Sequence, residues 1–415
     1  MENFFDYIKE RGFVYQATHE DEIRKLLNSG KKITFYLGID PTADSLHIGH
    51  FYALRMFSLM QREGHKGIVL VGGATAQIGD PTGKSDMRKM MSKQGTADNA
   101  AKVKKMVSRF VNLEGENAAI LVDNSDWMNN FSYIDFMREI GVHFNVAHML
   151  ASEAYKKRME NGGLTFLEMG YMLMQAYDFV ILNRKYGCEL QIGGSDQWGN
   201  IVAGTELSRK INYHQEGRST ADCPDTYGLT SPLLMTKDGK KMGKTEAGTV
   251  WVDPSKTSAY AFYQYFYNMP DEETAKLLKV FTDISSAEIE QMCKDDIIAA
   301  KKRMAYETTM LVHGKEETDK AVQASLSLFA GGAASQDVPS KEFPEARAAA
   351  GIKLVDLAVE TGLFPSKKEA RRMIQQGGFS ADGKKVSDPD ALAPKDKDSV
   401  LLQKGKKTFL KVLFK

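Results

Sequence analysis

The sequence predicts a doubly wound parallel α/β sheet, then an α-helical domain, then a small α+β domain. Three observations carry this. Four β-rich runs in the first half are apolar on both faces, and each ends in a polar loop bearing Gly, Asp or Asn. Beyond residue 250 the strand pattern gives way to helical periodicity. From Gly351 onward the chain is basic and rich in turn signals.

The strand-like runs are ITFYLGI (33–39), GIVLVGG (67–73), AAILVDN (118–124) and CELQIGG (188–194). A strand apolar on both faces belongs in a parallel sheet covered by helices. The loops that follow are GIDPTADS, GGATAQIGDPTG, DNSDW and GGSDQWGN. In an open α/β sheet ligands bind beyond the carboxyl ends of the strands, so four such loops predict one composite site there. The stretch TFLEMGYMLMQAYDFVIL (165–182) is apolar almost all round, as a buried helix should be. Yet Tyr171, Gln175 and Asp178 fall at i, i+4 and i+7, on one face. Buried polar groups need partners. That stripe reads either as contacts to a small polar ligand or as an internal hydrogen-bond network.

Residues 250–330 hold the helical stretches TSAYAFYQYFYN, PDEETAKLLKVF and SSAEIEQMCKDDIIAAKKRMAYETTMLVHG, with a capping box at Ser285 and Glu288. The aromatics from Tyr260 to Tyr267 read as helix packing rather than a base-stacking platform. AGGAASQDVPSKEFPEARAAAG reads as a linker. In the tail, Ser366 and Glu369 form a second capping box opening the basic helix KKEARRMIQQ, which Gly377 terminates. Asp382-Gly383 and Lys404-Gly405 signal turns between short strands. Residues 351–415 carry 14 Lys and Arg against 8 Asp and Glu, whereas the preceding 350 hold 41 against 46. A polyanionic partner is the preferred reading, with Lys367, Lys368, Arg371 and Arg372 on neighbouring parts of one helical surface as phosphate contacts.

Composition excludes other classes. With 42% hydrophobic and 26% charged residues over 415 positions, the chain has the make-up of an ordinary globular protein. No apolar run is long enough to span a bilayer, and the start lacks the pattern of a signal peptide. Three scattered cysteines argue against a disulfide framework and for a reducing, cytoplasmic setting. No C-x-x-C pair marks a zinc module.

The loops carry the chemistry. In DSLHIGH (44–50), His47 and His50 stand at i, i+3 with no third ligand nearby, so a metal site is not expected. A histidine pair at a helix N-terminus is placed to meet an anion, although alone it would more often be structural. IGDPTGKS is one residue too short for a Walker loop, and a G-x-G-x-x-G dinucleotide turn is missing, which excludes a nucleotide-dependent dehydrogenase. TKDGKKMGKTEAG (236–248) offers lysines that could close over a polyphosphate, or simply a basic hairpin.

In this order, DPTADSLHIGH, GDPTGK, YMLMQAYDF, QIGGSDQWGN and KMGKT resemble the bacterial tyrosyl-tRNA synthetases, a family of class I aminoacyl-tRNA synthetases. His47-Ile48-Gly49-His50 matches the signature HIGH. Lys241-Met242-Gly243-Lys244-Thr245 matches KMSKS in a relaxed form, with Gly and Thr in place of the two serines. The tail resembles the S4-type RNA-binding module of bacterial members. The resemblance implies a Rossmann-like catalytic domain over 1–232 and a mobile KMSKS-type loop over 233–250. It further implies a helical domain on the anticodon-arm side over 251–330, a linker over 331–350 and an S4-like domain over 351–415.

It also implies roles. Tyr36 and Asp178 would bond the phenolic hydroxyl of tyrosine. Asp80, Tyr171 and Gln175 would hold its α-amino group, and Gln197 its carboxylate. Gly38, Asp40, Gly49, Gly193 and Asp196 would meet the nucleotide, Asp196 at the ribose. Thr42, His47, His50, Lys84, Arg88, Lys241, Lys244 and Thr245 would hold ATP phosphates and departing pyrophosphate. ATP with Mg²⁺ is the expected co-substrate, without a prosthetic group, and tRNA(Tyr) the acceptor. A homodimer with no membrane association is implied as well. The rival readings are a tryptophanyl-tRNA synthetase, which shares both signatures, and a synthetase-derived RNA-binding protein without activity.

Overall fold

Six strands build the first sheet in the order β1-β6-β5-β2-β3-β4 of a computed structural model. It describes residues 3–82, 91–216, 225–236, 239, 241–245, 248–329, 340–405 and 408–415. The strands are Gln16–Ala17 (β1), Thr34–Ile39 (β2), Lys66–Val71 (β3), Ile120–Asp123 (β4), Cys188–Gly194 (β5) and Tyr227–Ser231 (β6). The four expected strands are β2 to β5. They pair in parallel, with Tyr36 opposite Ile68 on one side and Gln191 on the other. From β2 the chain steps to β3 and β4 on one side, then returns to β5 and β6 on the other. That reversal opens a crevice between the carboxyl ends of β2 and β5.

Two strands go beyond the sequence reading. β6 is parallel to β5, but β1 is antiparallel to β6, so the sheet is mixed at this edge. Neither strand has an apolar signature. Thr230 and Ser231 are buried nonetheless, and the Ser231 hydroxyl donates to the Phe13 carbonyl at 2.7 Å. Side-chain hydrogen bonds replace the hydrophobic pattern there.

Two compact units divide the chain: Met1–Lys244 with Thr249–Asp253 and Lys276–Ser286, and Thr245–Gly248 with Pro254–Ala275 and Ala287–Lys415. In the first, the buried helix Phe166–Tyr186 opens with a capping box between Thr165 and Glu168 and ends at Gly187 with φ +62°. In the second, Ser258 caps the helix Ala259–Tyr267 and Asp296 caps Ile297–His313. Tyr260, Phe262, Tyr263 and Phe266 are buried, as helix packing requires. The helix Ser286–Asp295 starts where the first expected capping box lies.

The tail folds as a sheet in the order β11-β10-β12-β13-β9. These strands are Ser340–Phe343 (β9), Phe379–Ala381 (β10), Lys384–Lys385 (β11), Ser399–Lys404 (β12) and Thr408–Phe414 (β13). The chain also has the short strands Lys244–Thr245 (β7) and Gly248–Thr249 (β8). The linker expected over 331–350 is corrected here. β9 pairs in parallel with β13, the helix Glu345–Ala349 follows, and Phe343 and Ala348 are buried in the same core as Leu357, Phe379 and Leu402. A four-residue strand with one inward apolar residue is too short to register as a pattern. The remainder of that linker, residues 331–339, lies outside the described residues.

Ser366 caps the helix Lys367–Gln375 as expected, but the Glu369 carboxylate accepts from Lys404 at 3.1 Å. Half of the second capping box therefore forms. Asp382 and Gly383 both have positive φ, +47° and +76°, as a two-residue hairpin turn demands. Among the described residues, no helix is long and apolar enough to cross a membrane.

Candidate active site

A cleft of about 360 Å³ opens at the carboxyl ends of β2 and β5. It gathers Tyr36, Gly38, Asp40, Thr42, His47, Gly49 and His50 from β2 and the loop and helix that follow it. Asp80, Tyr171, Gln175 and Asp178 enter from further along, followed by Gly193 at the end of β5, Asp196 and Gln197 just after it, and Lys241 and Lys244. Lys84 and Arg88 lie outside the described residues. Thr245 is described only in its backbone, within β7.

The closed end is built around Asp178. Its Oδ1 accepts from the Trp127 indole at 2.9 Å and its Oδ2 from the Asn124 amide at 3.0 Å. Burial pushes the carboxyl up to about 8, against the pull of those two donors. Tyr36 is fully buried, and its hydroxyl has no hydrogen-bond partner among the described residues; the same holds for Oε1 of Gln191. An unpaired buried polar atom costs about 1–3 kcal/mol. These atoms fit a pocket that a polar ligand group completes.

Nearer the middle, Asp40 accepts from the Thr75 hydroxyl at 2.7 Å and the Tyr171 hydroxyl at 2.9 Å. Asp80 accepts from the Gln197 amide at 2.6 Å and from the Thr82 backbone at 2.9 Å. The two readings of the polar stripe thus meet: Tyr171 and Asp178 sit in a bonded network and also line the cleft. Gly38 has open space where a Cβ would stand. At Gly72, by contrast, a Cβ would lie 1.9 Å from the Asp40 carboxylate, so the backbone must pass bare.

The histidines cap the helix Ile48–Arg62. Nδ1 of His47 accepts from the Gly49 backbone at 3.0 Å, and Nδ1 of His50 from the His47 backbone at 3.2 Å. Their rings stack with centroids 3.9 Å apart. A Cβ on Gly49 would fall 2.9 Å from the His47 ring, which is why glycine stands between them. A nitrogen that accepts carries no proton, so each ring holds its proton on Nε2. Burial, then His47 and Lys241, hold the His50 imidazole well below its usual range. The pair is structural and still presents N–H donors.

Lys241 forms an ion pair with Asp196 at 2.8 Å. Gly243 has φ +90°, a backbone conformation that disfavours a side chain and accounts for glycine in place of the signature serine. Asn124 and Trp127 were not among the expected site residues. Their loop, DNSDW, is visible as a strand end, but no spacing marks residues whose task is to hold another residue. Thr75, which donates to Asp40, was missed for the same reason, and Gln191 and Trp251 also line the cleft.

Residues 28–330 match the family described as tRNA synthetases class I (W and Y), and residues 332–412 match the tyrosine–tRNA ligase SYY-like C-terminal domain. The tyrosine–tRNA ligase of Clostridium kluyveri is 47% identical over 421 residues, covering all of both chains. The chain belongs to the tyrosine–tRNA ligase family. The tyrosine–tRNA ligase of Clostridium tetani is 48% identical over 417 residues, 99% of each chain. A C-terminally truncated mitochondrial tyrosyl-tRNA synthetase of Aspergillus nidulans superposes with a TM-score of 0.70 at 29% identity, over 79% of this chain and 94% of that one. The resemblance read from the two signatures is borne out, and with it the activity of a tyrosine–tRNA ligase that uses ATP as substrate. The tryptophanyl and binding-only readings fall away.

Proposed function

We propose that the cleft activates L-tyrosine from its closed end outward. Tyr36 and Asp178 take the phenolic hydroxyl. Asp80, Tyr171 and Gln175 take the α-amino group, and Gln197 the carboxylate. Gly38, Asp40, Gly49, Gly193 and Asp196 meet the adenosine, with Mg²⁺ arriving on ATP as part of the substrate. The tyrosine carboxylate is already a nucleophile, so its attack on the α-phosphorus needs alignment rather than a general base. A bond forms between carboxylate oxygen and α-phosphorus as the bond to pyrophosphate breaks. Thr42, His47, His50, Lys241, Lys244 and Thr245, with Lys84 and Arg88, stabilise the charge gathering on pyrophosphate. The tyrosyl group then passes to the 3′-terminal ribose of tRNA(Tyr), held in part by Lys367, Lys368, Arg371 and Arg372, all exposed.

The observation that carries this is the unpaired Tyr36 hydroxyl, fully buried and near enough to Asp178 to feel its charge. Pyrophosphate–ATP exchange, run with each amino acid and without tRNA, is the test. Exchange with tyrosine and little with phenylalanine or tryptophan is expected; equal exchange with all three would overturn the residue assignments.

We further infer a homodimer acting in the cytoplasm. Tyr133, Ile134, Val142, Val146 and Phe166 of the first unit are all more than half exposed, an apolar set suited to a second copy. Light scattering is expected to give a dimer mass, and Phe166→Asp to shift it toward monomer.

A further inference from the structure

The helix Lys93–Val107 grips the loop, residues 40–46, that joins β2 to the signature histidines. Asn99, Val103 and Met106 stand at i, i+4 and i+7, on one face. The Asn99 amide donates to the Pro41 carbonyl at 3.1 Å. Val103 is buried and lines the cleft. At the far end of the loop the Met106 sulfur accepts from the Leu46 backbone at 3.5 Å and from the Ser45 hydroxyl at 3.6 Å.

Packing accounts for part of this arrangement. Val103 and Met106 are buried, as a helix laid against a loop requires. Asn99 is different. It is partly exposed, it is not among the described residues that line the cleft, and its bond falls on the peptide group that leads into Thr42. The N–H of that same peptide group donates to the Asp40 carbonyl at 2.8 Å. A peptide group is planar, so holding its oxygen and its nitrogen fixes the plane from which Thr42 departs. Asp40 is itself held through its carboxylate by Thr75 and Tyr171. The inner anchor of the loop is therefore Asp40, and Asn99 supplies the outer one.

We propose that Asn99 is a positioning residue for tyrosine activation. It holds the Pro41–Thr42 peptide so that the Thr42 hydroxyl meets the phosphates of ATP already aligned. The inference rests on the reading of Thr42 as a phosphate contact and adds to it the residue that aims it. Asn99 does not touch substrate; it acts through the backbone of the loop.

Pyrophosphate–ATP exchange with tyrosine, run as a double-mutant cycle with Thr42→Ala, tests this. Asn99→Leu suits a helix and removes the donor. It is expected to lower kcat roughly 2- to 12-fold, the worth of one hydrogen bond. Asn99→Asp, close in size but without an N–H on its side chain, should fall at least as far. Tyrosine affinity, followed by intrinsic fluorescence, should stay as it was in both. In a Thr42→Ala background, Asn99→Leu should cost little more, because the group it aims is gone. Unchanged kcat in a folded Asn99→Leu protein overturns the proposal. So does a parallel loss of tyrosine affinity, which marks a general distortion, and so does a full further loss on top of Thr42→Ala. Exchange left intact by Thr42→Ala alone would instead strike the phosphate reading of Thr42, so the two failures are separable.

Discussion

The two ends of the catalytic cleft are built on different principles. At the closed end, Asp178 is buried, anchored by Asn124 and Trp127, and close to the Tyr36 hydroxyl, which has no partner among the described residues. At the mouth, Lys241 is about half exposed and its charge is spent on Asp196. The first is a fixed mould whose cost is borne by the fold. The second is an exposed ion pair that the proposed reading requires to change partners when nucleotide enters. Under the proposed assignments, selectivity belongs to the rigid end and rate to the adjustable one.

The sharpest way to break this contrast is Asp178→Ala. It leaves the Trp127 indole without an acceptor, takes one of two acceptors from the Asn124 amide, and under the proposed assignment strands the substrate hydroxyl, so kcat/KM for tyrosine should fall by about two to three orders of magnitude. Phenylalanine, with no hydroxyl to lose, should suffer less; parallel losses for both amino acids would sink the mould. Lys241→Ala addresses the other end. It should lower kcat of exchange about 10- to 100-fold and leave tyrosine binding, followed by intrinsic fluorescence, as it was. A weakened tyrosine affinity would mean that the two ends are not separate.

The smallest effect concerns stability. The Asp178 carboxyl is raised to about 8 in the fold from an ordinary value near 4, so between those values the folded state holds a proton that the unfolded state has lost. Its contribution to stability is therefore greatest below about pH 4 and declines as pH rises through about 8. Asp178→Asn has no such titration. Its melting temperature relative to the unsubstituted protein should climb from pH 5 to pH 8, and a constant difference would refute the raised carboxyl.

The same contrast governs what could be read in the sequence. β2 to β5 stand out because burial on both faces leaves an apolar run. β1, β6 and β9 do not, because Ser231, Thr230 and Phe343 gain their places from single hydrogen bonds or one inward ring. In the site, the legible residues are those that stand in the quoted motifs and line the cleft. Asn124, Trp127 and Thr75 act on other side chains, and nothing in their spacing reports which neighbour three-dimensional folding will bring. The signature histidines were legible as a motif, but their capping role was not, since it depends on ring orientation.

That capping role has a consequence for how the protein ages and fails. The first turn of a helix is where fraying begins. Here the imidazoles that close that turn are also the donors aimed at the cleft, so neither ring can swing away without opening the helix end. Unwinding of residues 47–50 and loss of this wall of the cleft are one event. Local damage at this spot would register as silence in the assay well before the molecule as a whole came apart.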